Sequence, residues 1–379
     1  MLLDENQSFH FVGVGGAGMS AIAYVLLKKG FHVSGSDLHA SEATARLSNC
    51  GATIYLGHAA ANLGDTGAIV VSSAIRQDNP ELVEARRIGL PVFHRADILA
   101  ALLNQCDGIA VAGSHGKTTT TSMIAFLLEM AGMDPNVLIG GDLDAIGGNA
   151  KVGDCGLLVA EADESDGSFL KFTPQIAVVT NIENDHMDHY GNEAEIRRAF
   201  TQFLNQVKPG GLAVLGMDSP AVRSVAGEVQ TPQITYALDL PADFTANKIV
   251  TAGTETFFDV YRRETLLGRI SIGVPGRHNV MNCLACIAVG MHLGLSFERI
   301  AAIMPGFGGA KRRFQTKGRE RGIWVVDDYG HHPTEILTTL HGAKAATSGR
   351  VVCIFQPHRF SRTQLLAREF GTAFAPADL

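Results

Sequence analysis

The sequence predicts an α/β protein in which helices cover largely parallel β-sheets, and three observations indicate this fold class. Short apolar runs typical of buried strands alternate with helical patterns along much of the chain. Two strand–helix junctions carry clustered glycines, at residues 13–18 and 113–116. Several buried strands stop at polar residues, as in open α/β sheets that bind ligands at the carboxyl ends of their strands.

Composition narrows the class of protein before any motif is considered. The chain has 379 residues, 46% of them hydrophobic, which suffices for two or three domains with sizeable cores. A formal net charge of −7 argues against nucleic acid as the main partner, because nucleic-acid-binding surfaces are basic. The N-terminus lacks a basic leader region and no apolar run is long enough to cross a bilayer, so we expect neither a signal peptide nor membrane insertion.

The six cysteines are scattered along the chain and are typical of small core residues in a reducing compartment. We therefore expect a cytoplasmic protein. Cys283 and Cys286 form a CxxC pair, but they lie in an apolar helical run without a second pair. Core packing is favoured over metal or redox use for this pair.

The first segment, residues 1–104, alternates strands and helices as a doubly wound domain does. The predicted strands are 9–14, 32–36 and 68–72, and the predicted helices are 20–29 and 80–88. Gly13, Gly15 and Gly18 form a GxGxxG pattern between the first strand and helix, and Asp37 ends the second strand. Alone, this pattern predicts a dinucleotide site with Asp37 on a ribose, although any diphosphate could bind at that helix N-terminus. Glycines that serve only close helix–strand packing are the structural alternative.

The second segment, residues 105–310, opens with the most informative motif of the chain. The loop 113–119 joins an apolar strand at 108–112 to a helix at 121–128. Backbone N–H groups of such a loop cradle phosphate, while Lys117 would reach the outer phosphates and Thr118 would hold Mg²⁺. Valine stands at position 111, where the standard pattern has glycine, so this is a shortened P-loop. Two diphosphate sites fit an enzyme that takes a nucleotide-linked substrate and, separately, ATP.

Carboxylates follow the next buried strand, at 157–160. Glu161 is the best candidate for an Mg²⁺ ligand, because that ion needs a carboxylate at the end of a buried strand downstream of the P-loop. A solvated acidic turn is the alternative. The strand at 176–180 ends at the same predicted sheet edge, where His186 could bind a second metal or serve as a hydrogen-bonded loop histidine.

The rest of the second segment is expected to contain a buried strand at 212–215 and a helix at 279–293. Between them, residues 234–272 show the alternation typical of antiparallel pairing. Asn279 and Asn282 share one face of the helix, and capping by Asn279 is the alternative to a ligand role.

The third segment, residues 311–379, contains one βαβ unit and a further helix. Its predicted strands are 323–326 and 351–355, and its predicted helices are 334–346 and 362–374. Arg313 lies in a basic turn that is either solvated or placed to contact a transferring phosphate. Arg359 and Arg362 follow a strand and suit a carboxylate. One βαβ unit is too little to bury a stable parallel sheet, so we expect a domain that continues in a longer parent protein or an unusually small one.

Together these residues resemble the Mur ligases, the ATP-dependent enzymes that build the peptide of bacterial cell-wall precursors. The motifs that carry the resemblance are GVGGAGMS at 13–20, SHGKTTT at 114–120, EADESDGSF at 161–169, NIENDHMD at 181–188, GRHNVMN at 276–282, RRF at 312–314, DDYGHHP at 327–333 and QPHRFSRT at 356–363. Within the family, the chain is most similar to members that join L-alanine to UDP-N-acetylmuramate. A related member that attaches a whole peptide would be expected to differ at 164–169 and 184–190.

The resemblance implies an α/β fold with a three-domain Mur ligase architecture. The domains would be a Rossmann-like UDP-sugar-binding domain at 1–104, a central P-loop ATPase domain at 105–310 and a partial Rossmann-like C-terminal domain at 311–379 that binds the amino acid. The resemblance also implies ATP and Mg²⁺ as cofactors, and UDP-N-acetylmuramate and L-alanine as substrates. ATP would phosphorylate the lactoyl carboxylate, and the L-alanine amine would then displace phosphate. We expect a monomer or a weak homodimer.

The same resemblance implies roles for individual residues. Lys117, Glu161, His186 and Arg313 would be catalytic, and Thr118, Glu161 and His186 would hold Mg²⁺. The residues around ATP would be Gly113, Ser114, His115, Gly116, Lys117, Thr118, Thr119, Asn279, Asn282, Arg313 and Asp328. The UDP-sugar would contact Gly15, Gly16, Gly18, Met19, Ser20, Ser36, Asp37 and Ser72, and alanine would contact Tyr329, His331, His358, Arg359 and Arg362.

Members of the family run on past the point at which this chain ends. We therefore expect a poorly supported C-terminal domain and weak or no activity from the chain as given. Two functions of other classes stay open at this point: a nicotinamide-dependent oxidoreductase that uses residues 9–40, and a catalytically silent nucleotide-binding regulator. The first of these leaves Lys117 and Glu161 unexplained.

Overall fold

The computed structural model describes residues 7–379, the side chain of Asp188 excepted, so residues 1–6 of the predicted first domain lie outside the described part. The chain divides into two compact units. The first unit comprises the described residues up to Ala112 together with Asp134–Ala177 and His186–Gly211. The second unit comprises Gly113–Met133, Val178–Asp185 and Leu212–Leu379.

Strands and helices alternate along most of the chain, as predicted. The strands are β1 (Ser8–Val12), β2 (His32–Asp37), β3 (Thr53–Leu56), β4 (Ala68–Val71), β5 (Val92–His94), β6 (Asp107–Ala112), β7 (Asn136–Leu143), β8 (Gly148–Lys151), β9 (Leu157–Glu161), β10 (Ile176–Val179), β11 (Leu212–Gly216), β12 (Gln233–Ala237), β13 (Phe244–Ala252), β14 (Glu255–Arg262), β15 (Thr265–Ile272), β16 (Gln315–Glu320) and β17 (Ile323–Asp327). The α-helices are α1 (Ala17–Lys28), α2 (Glu42–Asn49), α3 (Pro80–Ile88), α4 (Arg95–Asn104), α5 (Lys117–Met130), α6 (Met187–Tyr190), α7 (Glu193–Asn205), α8 (Pro220–Ala226), α9 (Arg277–His292), α10 (Phe297–Ile303), α11 (Pro333–Ala346), α12 (Phe360–Leu365) and α13 (Ala367–Ala373).

The first unit contains a five-stranded parallel sheet in the order β3-β2-β1-β4-β5. The central strand β1 is buried on both faces, with Phe9, His10 and Phe11 all at 0% exposure, as expected for a parallel strand covered by helices. The strands β3 and β5 were not predicted, because they are short and lack a buried apolar run. The same unit contains β6-β9-β7-β8, and α1 packs against β7 and β8.

The second unit contains parallel pairing of β11 with β12 and of β12 with β13, followed by antiparallel pairing of β13, β14 and β15. The antiparallel prediction for residues 234–272 is confirmed for the last three strands and wrong for β12. The alternation of polar and apolar residues indicates that one face of a strand is exposed, but it does not determine whether the neighbouring strand is parallel or antiparallel. The helices α5 and α9 pack together, and Cys283 and Cys286 are buried and unbonded in α9, which confirms their core role.

The last part of the second unit has β16 and β17 as an antiparallel pair, followed along the chain by α11, α12 and α13. The helix α13 packs against both α11 and α12. The predicted strand at 351–355 is wrong, because these residues have no regular strand in the described structure. Val351, Cys353 and Phe355 pack on a buried cluster of Ile336, Leu340 and Ala373, whereas Val352 and Ile354 are exposed, so one side of the segment is covered without any strand pairing. The predicted helix at 362–374 is broken into α12 and α13. Among residues 7–379, no helix combines the length and apolar character needed to cross a membrane.

Candidate functional site

The phosphate-loop candidate lies in the second unit, directly before α5. Gly116 stands at the N-cap of α5 with φ of 82°, and no side chain caps this helix end. Gly113 has φ of 130°, and a Cβ there would come 2.2 Å from the Thr180 hydroxyl oxygen. Both glycines are thus required by the backbone path. An uncapped helix N-terminus preceded by such a loop leaves N–H groups available to an anion.

The segment that follows β10 shapes this loop. The backbone N–H of His115 donates to Asn181 Oδ1 at 2.9 Å, and the Thr180 hydroxyl donates to the His115 carbonyl at 2.6 Å. The Ser114 hydroxyl accepts from the backbone N–H of Glu183 at 2.8 Å. Neither Thr180 nor Asn181 was predicted to have a role, although their position at the polar end of a strand was the available signal.

Lys117 and Thr118 follow the glycine at the start of α5. The ammonium group of Lys117 donates to the Gly113 carbonyl at 2.6 Å, so the side chain folds back over the loop. Thr118 is 8% exposed, and its hydroxyl accepts from Arg313 Nη2 at 3.4 Å. The structure therefore brings the predicted basic-turn arginine to the loop, which excludes a purely solvated role for Arg313.

A cavity of about 390 Å³ lies within the second unit beside the loop. Its volume falls in the range of about 300–1,000 Å³ typical of small-molecule pockets. The predicted ATP residues that line it are His115, Gly116, Thr119, Asn279, Asn282, Arg313 and Asp328. Tyr236 and His278 also line it and were missed. Tyr236 lies in an alternating run that predicts a strand, and His278 lies in the GRHNVMN motif, in which only the two asparagines were given roles.

The two asparagines of α9 form a connected pair. Asn279 Nδ2 donates to the Pro275 carbonyl at 2.7 Å, and Asn282 Nδ2 donates to Asn279 Oδ1 at 3.2 Å. The helix begins at Arg277 with Gly276 at its N-cap, so the capping alternative for Asn279 is wrong. Asn282 Oδ1 accepts from the Thr120 hydroxyl at 3.1 Å, which ties α9 to α5 beside the cavity.

Asp328 closes another side of the cavity. Its carboxylate accepts from the backbone N–H groups of Phe314 and Gly330, at 2.8 and 2.7 Å. Burial raises the pKa of Asp328 above its ordinary value, against the lowering effect of these hydrogen bonds and of the Arg313 charge. The carboxylate thereby fixes the turn that carries Arg313.

The residues predicted around alanine fall into two groups in the second unit. The rings of Tyr329, His331 and His358 lie near one another, with centroids 5.4 and 6.1 Å apart in successive pairs. Arg362 is 8% exposed and lies 3.7 Å from Asp185, and its Nε and Nη1 atoms have no hydrogen-bond partner among the described residues. A buried guanidinium with unused donors is suited to an anionic ligand group. Arg359, in contrast, is exposed.

The first unit holds the other glycine loop, between β1 and α1. The backbone N–H groups of Gly13 and Val14 both donate to the Ser36 carbonyl, at 2.8 and 2.9 Å. Gly15 N–H donates to Asp37 Oδ2 at 2.8 Å, so the Asp37 carboxylate lies against the loop itself. Gly16 is the N-cap of α1 without a side-chain cap, which again leaves a helix N-terminus suited to an anion.

The other residues predicted at the UDP-sugar differ in exposure. Met19, Ser20 and Ser36 are buried, whereas Gly18 and Ser72 are partly exposed. The Ser36 hydroxyl donates to Glu81 Oε2 at 2.6 Å and thus points into the protein. Sequence reasoning missed Glu81, because a glutamate in the first turn of a helix is ordinarily a solvated residue.

The metal candidates of the first unit are Glu161 and His186. Glu161 ends β9 as predicted, and its Oε1 accepts from the backbone N–H of Gly140 at 2.8 Å. A Cβ at Gly140 would come within 2.8 Å of this carboxylate, so glycine makes the space that it uses. His186 has φ of 58°, and its Nε2 lies 3.7 Å from Glu164 Oε1. Carboxylate oxygen fits Mg²⁺ well, whereas imidazole is a less usual ligand for that ion.

Comparison with known proteins finds relatives that match the whole length of this chain. Three family models match the chain: "Mur ligase family, catalytic domain" at residues 8–106, "Mur ligase middle domain" at 111–290 and "Mur ligase, glutamate ligase domain" at 312–379. The chain is 53% identical over 378 residues to a UDP-N-acetylmuramate–L-alanine ligase of Pelotomaculum thermopropionicum, and 52% identical to one of Syntrophotalea carbinolica. These matches cover 100% and 98% of this chain, and 82% and 81% of the relatives.

Solved structures agree with this assignment. A UDP-N-acetylmuramate–alanine ligase from Thermotoga maritima superimposes with a TM-score of 0.87 and 32% identity, and the match covers 98% of this chain and 84% of that one. A murein peptide ligase from Psychrobacter arcticus gives a TM-score of 0.78 and 27% identity, with the same coverage. The predicted α/β fold and three-domain architecture are thereby confirmed, and the chain belongs to the Mur ligase family.

Proposed function

We propose that this chain is an ATP-dependent ligase that joins L-alanine to the lactoyl carboxylate of UDP-N-acetylmuramate in peptidoglycan precursor synthesis. The observation that carries the proposal is the identity of about half of all residues, over the whole chain, with relatives of that name. The Mur ligase assignment disfavours an oxidoreductase, which would leave the P-loop without a role. The domain boundaries near 104 and 310 are part of the proposal, in keeping with family matches at 8–106, 111–290 and 312–379.

The chemistry has two steps. A lactoyl carboxylate oxygen attacks the γ-phosphorus of ATP, the bond to the β-γ bridging oxygen breaks, and ADP leaves. The L-alanine amine then attacks the carbon of the acyl phosphate, inorganic phosphate leaves with the bonding pair, and the amine loses a proton. The protein contributes mainly by positioning and by stabilising the charge on the transferring group.

The proposed roles of the second-unit residues follow from their contacts. Lys117 and the N-terminus of α5 would bind the outer phosphates, after the ammonium group leaves the Gly113 carbonyl. Arg313, 3.4 Å from the Thr118 hydroxyl, would stabilise charge on the transferring phosphate. The buried guanidinium of Arg362 would take the L-alanine carboxylate.

We include Mg²⁺ in the proposal, with Thr118 and Glu161 as ligands of one ion and His186 as a ligand of a second. When bound, these ions would neutralise part of the phosphate charge. The first-unit glycine loop would bind the UDP diphosphate, since α1 offers an uncapped N-terminus there. Binding would require the Asp37 carboxylate to leave the Gly15 amide.

The test is phosphate release by this chain with ATP, UDP-N-acetylmuramate and single amino acids, each omitted or added in turn. We expect ADP formation to require the sugar nucleotide, and amide product to appear with L-alanine. A tripeptide replaces L-alanine in a parallel reaction, and a preference for it would favour the related peptide ligase. ADP formation that ignored the sugar nucleotide would overturn the proposal.

A further inference from the structure

The ring of His115 is held between two carboxylates from distant parts of the chain. Its Nε2 lies 3.2 Å from Glu183 Oε2, and its Nδ1 lies 3.2 Å from Glu335 Oε1. The His115 side chain is 12% exposed, and burial by itself would lower its pKa. The hydrogen bonds to Glu183 and Glu335 outweigh burial and raise the pKa to about 9. The ring is therefore an imidazolium near neutral pH and donates from both nitrogens.

Each carboxylate is itself anchored. The Thr334 hydroxyl donates to Glu183 Oε2 at 2.9 Å. Glu335 completes the capping box of α11, because its Oε2 accepts from the backbone N–H groups of His331 and His332 at 3.0 and 3.2 Å. One ion-paired cluster thus connects the phosphate loop to the N-terminus of α11.

We propose that His115 is a positioning residue that couples the phosphate loop to the N-terminus of α11. The loop that would bind ATP and the neighbouring residues Tyr329 and His331, which would contact the amino acid, are then ordered together. This inference rests on the proposed function for the identity of the two ligands. The backbone of His115 is already fixed by Thr180 and Asn181, so its side chain is available for this link rather than for shaping the loop.

A metal site is the competing interpretation of the same cluster. His115, Glu183 and His332 each offer one ligand atom, all within 4.8 Å of one another. Tetrahedral zinc separates its nitrogen and oxygen ligands by about 3.3 Å, and the observed separations to Glu183 are 3.2 and 3.9 Å. Both His115 nitrogens already face carboxylates, however, and His332 Nδ1 accepts from the Thr334 N–H at 3.3 Å. The arrangement is therefore that of a protonated, ion-paired histidine.

Two variants and their combination test the link. His115→Gln removes the imidazolium, and Glu335→Gln removes the charge while keeping an acceptor for the α11 capping box. Each should lower kcat/KM for ATP and raise the KM for L-alanine, by about tenfold to a hundredfold. The double variant should be no worse than the more affected single variant, because both break one link. His341→Gln, on the exposed side of α11, is the control and should behave as the wild type.

A pH profile separates positioning from simple loss of packing. The titratable groups that face the ring are Glu183, Glu335 and His332. Above a pH of about 9 the neutral ring can donate to only one carboxylate. The ratio of wild-type to His115→Gln kcat/KM for ATP should therefore shrink as the pH rises through about 9, whereas the ratio for the control should stay flat.

Several results would overturn the inference. Among them are additive losses in the double variant, a wild-type to His115→Gln ratio that does not change with pH, and stoichiometric Co²⁺ binding that His115→Gln abolishes. If His115→Gln fails to fold, the test uses Glu335→Gln alone, with its kcat/KM for ATP, its KM for L-alanine and its ATP affinity as the measurements. ATP affinity measured by calorimetry keeps the two proposals distinct. A wild type that binds ATP without using UDP-N-acetylmuramate defeats the proposed function, whereas unchanged ATP affinity in both variants defeats the link.

Discussion

Replacing Glu81 with glutamine should destabilise the first unit and weaken its binding of the UDP-sugar. Glu81 is fully buried in α3 and accepts four hydrogen bonds, from Ser36 Oγ at 2.6 Å, Asn62 Nδ2 at 2.7 Å, His58 Nδ1 at 3.1 Å and the Ala59 N–H at 3.4 Å. A glutamine has the same shape but only one acceptor oxygen, so one side of this cluster would face an amide NH₂ group.

The magnitude follows from the pKa of Glu81. Burial raises it, but the neighbouring His10 ring, whose Nε2 lies 3.6 Å from the carboxylate, and hydrogen bonds from Ser36 and Asn62 bring it down from an ordinary 4.5 to about 2. At about 1.4 kcal/mol per pH unit, the ionised form contributes about 3 kcal/mol to the free energy of unfolding. Because the pKa is lowered on folding, this contribution is complete above pH 4.5 and is lost as the pH falls towards 2. The difference in free energy of unfolding between the wild type and Glu81→Gln should therefore become smaller as the pH falls from 4.5 towards 2.

The functional consequence comes through Ser36. Its hydroxyl is fixed by Glu81, and its carbonyl accepts from the loop amides of Gly13 and Val14. Urea unfolding at pH 7 should show a loss of about 2–3 kcal/mol, and calorimetry should show weaker UDP-N-acetylmuramate binding. Glu84→Gln, on the same helix but paired with Arg87 at the surface, is the matched control and should leave both nearly unchanged. A Glu81→Gln protein within about 0.5 kcal/mol of the wild type would refute the reasoning.

Three other substitutions test the candidate site. Gly113→Ala should cost about 2–4 kcal/mol in thermal unfolding, because φ of 130° and a Cβ 2.2 Å from the Thr180 hydroxyl leave no room for a methyl group; an unchanged melting temperature would contradict the geometry. Glu161→Gln should raise the Mg²⁺ concentration for half-maximal phosphate release by about tenfold to a hundredfold, and an unaltered Mg²⁺ titration would remove Glu161 from the metal site. Arg362→Lys should raise the KM for L-alanine by about tenfold or more while the KM for ATP changes little, since lysine cannot donate a bidentate pair of hydrogen bonds; equal effects on both constants would argue for a structural role.

The sequence predicted best where one local pattern has one structural outcome. The helix α3 begins and ends at the predicted residues 80 and 88, because Asn79 and Pro80 mark its start and Gly89 its end. Gly113 and Gly116 both adopt backbone angles that other residues avoid, as a phosphate loop requires. The residues 351–355 show the limit of this reasoning. Alternate apolar side chains of this segment pack on a buried cluster while Val352 and Ile354 are exposed, and strand pairing depends on a neighbour that the segment itself does not encode.

The candidate site shows the same division. Local spacing was sufficient to place Asn279 and Asn282 on one face of a helix, but it left open whether Arg313 is solvated or contacts a phosphate. Local spacing could not predict the buried role of Glu81, nor the pairing of His115 with Glu335, since His115 and Glu335 are separated by 220 positions. A side chain's charge state depends on which distant groups surround it after folding, and no periodicity in the sequence reports that.

The alternation of strands and helices along much of the chain, the two glycine loops and the family were determined by the amino-acid sequence alone, because they depend on residues that are close together in the chain. The tertiary structure decided that Ser36 is fixed by a buried carboxylate, that β12 pairs in parallel with both of its neighbours, and that the His115 ring carries a proton between two glutamates. These properties arise from contacts between segments far apart in sequence, where burial and neighbouring charge, rather than residue type, set the energy of each group.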